Sequence, residues 1–256
     1  MAASVKNVTE FSRIRLQDGI NALDESSDAG KALTSVLDET LKQPGVQRIY
    51  TSHEIEDPAN LWLFVDWETS EHRNNYRKSE EYASHVKLIG AYRNPNSTTK
   101  DFSKLVGIYP FSPEDVLDNK GSRVTEVLIA HFPPDYDADS RSAAMKRVGE
   151  FVADGLKASP DWRGISCGWS VENDVPVRGD ESQSGVAFVS FIAWPSVEAH
   201  LKFRETEAFK STIHHLREIP GLVKLSAFHV SCKSKAAEGQ PKPCANEYHQ
   251  HGGGCC

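Results

Sequence analysis

The chain has 256 residues, of which 39% are hydrophobic and 25% are charged, and 36 acidic against 29 basic side chains give a formal net charge of −7. This composition supports a packed core and excludes a disordered chain, while the acidic balance argues against binding to nucleic-acid phosphates. No apolar run approaches the roughly 18 residues that a membrane span requires, and residues 1–11 lack the pattern of a signal peptide. We therefore expect a cytoplasmic protein without a membrane span. In that compartment the cysteines of its core should be reduced.

The first half of the chain predicts the element order β-α-β-β-α-β. Apolar runs separated by turn residues predict four strands and two helices: strands over 8–16, 46–55, 61–69 and 102–111, and helices over 28–42 and from about 70 to 91. In the first helix Leu33, Leu37 and Leu41 recur at helical spacing, and Pro44-Gly45 ends it.

The second half repeats this order. Its predicted elements are strands over 124–132, 165–175, 186–194 and 222–232, with helices over about 141–158 and 196–219. Val8-Thr9-Glu10 recurs as Val124-Thr125-Glu126. At an offset of 127 residues, six further positions carry matching side chains: Trp67/Trp194, Tyr76/Phe203, Arg77/Arg204, Ser79/Thr206, Glu80/Glu207 and Tyr82/Phe209. An internal repeat of this kind indicates two equivalent structural units.

We therefore predict an α+β fold built from two tandem ferredoxin-like repeats. Segments 61–65 and 186–194 are apolar at nearly every position, although a sheet covered by helices on one face normally alternates apolar and polar residues. Both faces of each sheet must then be buried, and packing the two sheets together would close a barrel with its helices outside. The predicted divisions are a first repeat at 5–111, a linker at 112–122, a second repeat at 123–233 and a disordered tail at 234–256.

The second repeat contains WPSVEAHL from Trp194 and TEAF from Thr206, and the first repeat has looser versions at 67–72 and 79–82. These stretches resemble the antibiotic-biosynthesis-monooxygenase-like domains of the dimeric α+β barrel superfamily, and the likeness covers most of residues 5–233. The resemblance implies a tandem form that builds its barrel within one chain. Members of the family include cofactor-free oxygenases, cyclases and haem-handling enzymes, so the resemblance implies a shape and a cavity rather than a substrate.

Polar residues that interrupt the apolar strands are the candidate site residues. Histidine suits proton transfer because its ordinary pKa lies near neutrality. His131 and His229 follow apolar stretches, and His200 matches the family pattern, so these three are the candidate catalytic bases. The residues expected to line an apolar substrate cavity are Trp67, Trp194, His53, Ser190 and His72. For each candidate, core packing or a solvated histidine is the alternative interpretation.

The expected function is that of a small-molecule enzyme which oxygenates or cyclises an aromatic or polyketide-like product of secondary metabolism in the barrel cavity. One histidine would remove a proton from a phenol or an activated methylene. The sequence has no phosphate loop, dinucleotide fingerprint or nucleophile elbow, so no nucleotide cofactor is expected. Haem stays an open alternative, because one inward histidine is enough to ligate it. The expected partner is a small-molecule substrate, with a homodimer as a further option.

The C-terminal tail is polar and rich in Gly, Pro and Lys. It contains five soft or borderline ligands that would suit zinc or copper: Cys244, His249, His251, Cys255 and Cys256. A non-catalytic stress or metal-handling protein that works through this tail is the alternative function. The terminal Cys-Cys also resembles the doubly prenylated ends of Rab-type GTPases, although the chain lacks their phosphate loop. A passive or redox-exposed tail is the third option.

Overall fold

The computed structural model describes residues 4–97, 101–111, 113–120 and 123–239, apart from the side chain of Glu181. The elements of the first repeat are β1 (Lys6–Arg15), α1 (Asp28–Leu41), β2 (Val46–His53), β3 (Asn60–Thr69), α2 (Ser70–Tyr76), α3 (Glu80–Gly90) and β4 (Phe102–Tyr109). The helix expected over 70–91 is two helices, because the Ser79 side chain accepts a hydrogen bond from Tyr82 N and so caps a new helix.

The second repeat has the same order with small additions. Its elements, with the segment before it, are α4 (Glu114–Leu117), β5 (Val124–Phe132), α5 (Ala138–Glu150), β6 (Ile165–Ser170), β7 (Val175–Val177), β8 (Asp180–Trp194), α6 (Val197–Arg204), α7 (Glu207–Thr212), α8 (His214–Arg217), β9 (Lys224–Val230) and β10 (Lys233–Ala236). Thr206 caps α7 just as Ser79 caps α3. The strand expected over 165–175 ends at Ser170, and the short strand β7 pairs instead with β8.

The strands form one curled antiparallel sheet that joins the two repeats at two places. Each repeat contributes four strands in the ferredoxin-like order, β4-β1-β3-β2 and β9-β5-β8-β6. At the first seam β4 pairs with β6. At the second seam β10 pairs with β2, and Val230 at the end of β9 bridges to Glu54. The two seams close the sheet into a barrel, as the doubly apolar strands predicted.

The interior of the barrel is packed with side chains from both repeats. Trp62 stacks on Phe228 with ring centroids 4.5 Å apart, and Phe64 meets Phe191 edge-on at 5.2 Å. These rings belong to one buried cluster that also includes aliphatic residues of β4, β5 and β8. Side chains of both repeats therefore pack against one another between the two half-sheets. The expectation of a substrate cavity inside the barrel is corrected: the cavities described below lie on the outer face of the sheet, under the helices.

Two of the predicted boundaries differ from the structure. The stretch expected to be a linker contains α4, whose Val116 and Leu117 are buried in the barrel cluster and cover one end of it. Residues 233–236, partly assigned to the tail, form β10, so ordered structure continues past the second repeat. The proposed tail ligands lie outside the described residues. Within the described residues, no helix is long and apolar enough to cross a membrane.

Candidate active site

Each repeat holds a cavity between its helices and the outer face of the sheet. The first cavity has a volume of about 250 Å³ and lies under α1 and α3 of the first repeat. The second cavity has a volume of about 310 Å³ and lies under α6 and α7 of the second repeat. Both have largely apolar walls interrupted by a few charged or hydrogen-bonding side chains, which is the usual form of a small-molecule site.

Glu126 and His200 are the titratable pair in the wall of the second cavity. Glu126 interrupts the apolar strand β5, and its neighbour Leu128 belongs to the cluster that packs under the helices. His200 lies in the first turn of α6, where Ser196 fixes the start of the helix by accepting a hydrogen bond from Ala199 N at 3.2 Å. His200 Nε2 lies 3.3 Å from Glu126 Oε2, and both side chains are buried.

Two further side chains extend this pair into a chain of four. His200 Nδ1 lies 2.7 Å from Nε2 of His229, which stands opposite Glu126 in the register of β5 and β9. The other ring nitrogen of His229, Nδ1, contacts the Glu56 carboxylate, and His229 N donates to Glu56 Oε2 at 2.8 Å. Glu56 is 44% exposed, whereas His229 is buried. The order Glu126, His200, His229, Glu56 therefore leads from the cavity wall to the surface.

Burial and hydrogen bonding shift the pKa values of Glu126, His200 and Glu56. It raises the pKa of the Glu126 carboxyl to about 7, against smaller opposing effects from the Trp194 hydrogen bond and Arg204. Burial also lowers the pKa of His200 to about 3, and the neighbouring His229 acts in the same direction. For Glu56 burial acts to raise the pKa, but the hydrogen bonds from His229 outweigh it and the pKa is lowered. Near neutral pH the cavity thus presents an uncharged His200 beside a carboxyl that is close to its own midpoint.

The first cavity has the same backbone plan with a different polar pair. Trp67 Nε1 donates to Glu10 Oε2 at 2.9 Å, as Trp194 Nε1 donates to Glu126 Oε2 at 3.3 Å. The position equivalent to His200 is occupied by Arg73, whose Nε donates to Glu10 Oε1 at 3.2 Å. Both partners of this ion pair are buried. A guanidinium stays protonated throughout the physiological pH range, so Arg73 cannot act as the neutral hydrogen-bond acceptor that an imidazole can be.

The first cavity also contains a hydrogen-bonded tyrosine. Tyr76 Oη lies 3.0 Å from Thr40 Oγ1 and 2.7 Å from His85 Nδ1. Burial raises the pKa of Tyr76 to about 12, so the phenol keeps its proton. Burial also lowers the pKa of His85. This cavity can therefore hold a ligand by hydrogen bonds, while the exchangeable carboxyl and imidazole pair lies in the second cavity.

The structure brings some of the sequence candidates together and separates the others. His200 and His229 are in contact, and Trp194 stacks on the His200 ring with centroids 5.2 Å apart. Trp67 lines the first cavity. His131 faces the barrel interior with Val127 and Ile129, on the opposite side of β5 from Glu126, and its Nε2 lies 3.0 Å from the Pro176 carbonyl. Burial lowers the pKa of His131 to about 4.

The remaining candidates occupy structural positions. His53 ends β2 with its Nδ1 2.5 Å from the Pro58 carbonyl in the following turn. His72 lies in the first turn of α2, 3.1 Å from Thr69 Oγ1, and the match to His200 falls on its neighbour Arg73. Ser190 is buried on β8 between Phe188 and Ile192, two residues that pack under the helices.

Two acidic residues of the site were missed by the sequence analysis. Glu126 had a signal, because it is the carboxylate of the repeated Val-Thr-Glu and stands alone in an apolar strand. Glu56 had none, because its contact with His229 spans 173 residues and exists only once the barrel closes. Within the described residues, no group of three or more His, Cys, Asp or Glu side chains is arranged to hold a metal ion.

Comparisons with known proteins agree with this architecture. Residues 24–88 match the family model of antibiotic biosynthesis monooxygenases. An anthrone oxidase-like protein of known structure superposes with a TM-score of 0.61 at 13% identity, covering 94% of this chain and 100% of its own. A candidate monooxygenase of Fusobacterium nucleatum superposes with a TM-score of 0.55 at 9% identity, covering 90% of this chain and 95% of its own.

A third solved structure, of a candidate monooxygenase from Lactobacillus acidophilus NCFM, gives a TM-score of 0.53 at 9% identity and covers 91% of this chain and 97% of its own. A sequence search among curated proteins finds no match. At these identities the structural likeness concerns the fold, and the family match lies in the first repeat. The chain is therefore similar to the antibiotic biosynthesis monooxygenase family over residues 24–88, and it shares the fold of these solved structures over most of its length, with both halves of its barrel on one polypeptide.

Proposed function

We propose that this protein is a small-molecule enzyme that oxygenates or cyclises an aromatic or polyketide-like compound in the second cavity without a cofactor. The observation that carries the proposal is the buried pair of Glu126 and His200 in an otherwise apolar wall. A carboxyl poised near neutral pH beside an uncharged imidazole is suited to general acid–base catalysis, which works best when the pKa lies near the working pH.

The wall of the second cavity suits a flat, apolar substrate with an acidic hydroxyl or methylene. Aromatic rings on the helix side come from Phe151, Phe203 and Phe209. Burial of such a substrate against these rings favours binding, because removal of apolar surface from water contributes about 25 cal/mol per Å². Arg204 and Arg217 add positive charge to the wall, which would stabilise an anion formed from the substrate.

The proposed reaction begins with proton removal. The Glu126 carboxylate takes the proton of the hydroxyl or methylene, and the electron pair stays on the substrate as an anion. In oxygenation the electron pair of this anion forms a carbon–oxygen bond to O₂, and the peroxide anion takes back the proton from Glu126 to become a hydroperoxide. The hydroperoxide then loses water, with the remaining hydrogen of the same carbon, to leave a carbonyl group. In cyclisation the anion instead attacks a carbonyl carbon of the same molecule, and the new alkoxide takes back a proton. Both reactions use the same base, so the chemical structure of the substrate determines whether oxygenation or cyclisation follows.

The test is turnover of a panel of anthrones, phenols and β-polycarbonyl compounds, followed by oxygen consumption and product mass. We expect His200→Gln to lower kcat by about 10² to 10⁴-fold with KM changed only a few-fold, since the lost group acts in proton transfer. The control is His214→Gln, at an exposed histidine of α8. Failure of the wild-type protein to convert any compound, or unchanged kcat in His200→Gln, would contradict the proposal.

A further inference from the structure

Contacts between neighbouring side chains link Glu126, His200, His229 and Glu56 in that order. This series of contacts begins at the second cavity and reaches the surface beside the second seam, at Glu56 of the first repeat. Glu126 and His200 line the cavity, His229 is buried behind them, and Glu56 is exposed. Glu56 follows β2 of the first repeat, and its neighbour Ile55 donates through its backbone N to His229 O at 2.9 Å. This series of contacts therefore exists only where the two repeats meet.

We propose that these four side chains form a proton relay between the second cavity and solvent, with Glu56 as the point where protons enter and leave. This inference rests on the proposed function, because it concerns the proton that the substrate releases there. Glu56 itself is separated from the cavity by the two histidines, so its role is to accept a proton at the far end of the relay.

The contacts fit one continuous direction of hydrogen bonding. An ionised Glu56 accepts from His229 Nδ1–H, which leaves His229 Nε2 as an acceptor for His200 Nδ1–H. His200 Nε2 is then an acceptor as well, and it faces Glu126 Oε2 at 3.3 Å. Every acceptor in this series then has a donor if Glu126 carries a proton and donates it to His200 Nε2. The raised pKa of Glu126 and the lowered pKa of Glu56 agree with a resting proton on Glu126 and an ionised Glu56.

Transfer along the relay moves protons only, and the balance is simple. The Glu126 O–H proton passes to His200 Nε2, the His200 Nδ1 proton to His229 Nε2, and the His229 Nδ1 proton to Glu56. The net result is one proton moved from the cavity to the surface, with every hydrogen bond reversed and no bond between heavy atoms changed. Glu126 is then a carboxylate that can take the substrate proton. A proton returned from Glu56 restores the resting state when the product needs one.

The first repeat shows what a cavity without a relay looks like. Arg73 occupies the place of His200, and Leu105 stands opposite Glu10 where His229 stands opposite Glu126. A guanidinium cannot pass a proton on at neutral pH, and a leucine has none to pass. The relay thus serves the cavity of the second repeat, and Glu56 of the first repeat completes it.

The first experiment examines the resting full-length protein and needs no substrate. Long-range proton–nitrogen correlation spectra report which ring nitrogen of each histidine carries hydrogen, and His200→Gln and His229→Gln assign the signals. We expect both rings to be neutral and protonated at Nδ1. Glu56→Gln should preserve this state, because its amide oxygen still accepts from Nδ1–H, whereas Glu56→Ala should abolish it at His229. A ring protonated at Nε2, or at both nitrogens, in the wild-type protein would overturn the relay.

The second experiment measures turnover in buffers of increasing imidazole concentration. Glu56→Gln keeps the hydrogen bond and removes the proton acceptor, so we expect kcat to fall by on the order of 10-fold or more, with KM unchanged. Small buffer molecules should restore kcat in this variant as their concentration rises, while the wild-type rate stays independent of buffer. A lower kcat that buffer does not restore would assign Glu56 a structural role and contradict the relay.

The matched control is Glu150→Gln. Glu150 lies 3.2 Å from His215 Nδ1 and is 40% exposed, so it forms a comparable surface carboxylate–histidine pair outside both cavities. This variant should retain wild-type kcat and show no buffer dependence. If no compound in the panel is converted, the proposed function fails, and the relay is then judged by the tautomers in the correlation spectra.

Discussion

Arg73 and His200 occupy the same place in the two repeats, and this one difference decides what each cavity can do. Each lies beside a buried glutamate that also accepts a hydrogen bond from a tryptophan. Arg73 gives Glu10 a positively charged partner, because the guanidinium does not release its proton. An imidazole in that place can be neutral, so Glu126 faces a hydrogen-bond acceptor instead of a fixed positive charge.

The buried carboxyl of Glu126 should make the stability of the protein depend on pH. Folding raises its pKa from the ordinary value of 4.5 to about 7, so the folded state binds the proton more tightly than the unfolded state. This contribution to the free energy of unfolding is complete below about pH 4.5 and is lost as the pH rises through 7. A difference of this size corresponds to about 3 kcal/mol.

Glu126→Gln removes the titration and keeps the hydrogen bond to His200, because an amide N–H can donate to His200 as the protonated carboxyl does. We expect urea unfolding to show the wild-type protein losing stability relative to this variant between about pH 4.5 and pH 7.5. The surface substitution Glu150→Gln should leave the pH profile of the wild-type protein unchanged. Parallel profiles for the wild-type protein and Glu126→Gln would mean that Glu126 is ionised in the folded state.

For individual residues, the sequence predicts which side chains belong to the site better than it predicts which of them are in contact. His200 was found through its match to the family pattern, and His229 through its place in an apolar strand. Their contact was not predictable, because strand alternation alone does not say which of two buried faces a side chain joins. His131 illustrates this limit: it lies in an apolar strand like His229, but it faces the barrel interior.

Among the elements, the short helix α4 shows how a loop can become part of the core. Pro, Asp and Gly around 110–122 are typical of a connection between domains, and the sequence accordingly predicts a linker. Two apolar residues within it, Val116 and Leu117, are buried in the barrel cluster. The strands and helices with strong periodicity were predicted in the right order. A helix of four residues with two apolar side chains is too short to show a helical period, so the sequence pattern did not predict α4.

Leu117→Ala should therefore destabilise the protein strongly. Leu117 is fully buried, and removing its side chain leaves a cavity at the end of the barrel. We expect the free energy of unfolding to fall by about 2–5 kcal/mol. The matched control is Leu201→Ala on α6, where the side chain is 47% exposed and the expected change is within about 0.5 kcal/mol. Equal effects of the two substitutions in urea unfolding would show that α4 does not seal the barrel.

At the scale of the whole molecule, the two repeats share one core and two seams. Trp62 of the first repeat stacks on Phe228 of the second, and the edge strands β2, β4 and β6 find their partners across the repeat boundary. The internal repeat and the doubly apolar strands made this closure predictable. The position of the cavities was not, because a sequence that is apolar on both faces does not reveal which face is left with empty space.

Separated halves should not fold as monomers. Residues 1–111 and 112–256, expressed as two chains, would each expose one apolar face of the barrel and unpaired strand edges. We expect each half alone to lack dispersed amide signals as a monomer, and the mixture to recover the cooperative unfolding of the intact chain. The measurement is an amide correlation spectrum combined with sedimentation. A half that is folded and monomeric would contradict the shared core.

The covalent link between the repeats has a consequence for how such a protein changes over generations. In a barrel made from two identical chains, every mutation appears twice, so a substitution that improves one site must also be tolerated in the other. After gene duplication and fusion each copy mutates alone. Selection could then retain an arginine in one copy and a histidine in the other. Once Glu56 of the first copy contacts His229 of the second, the two copies are no longer interchangeable.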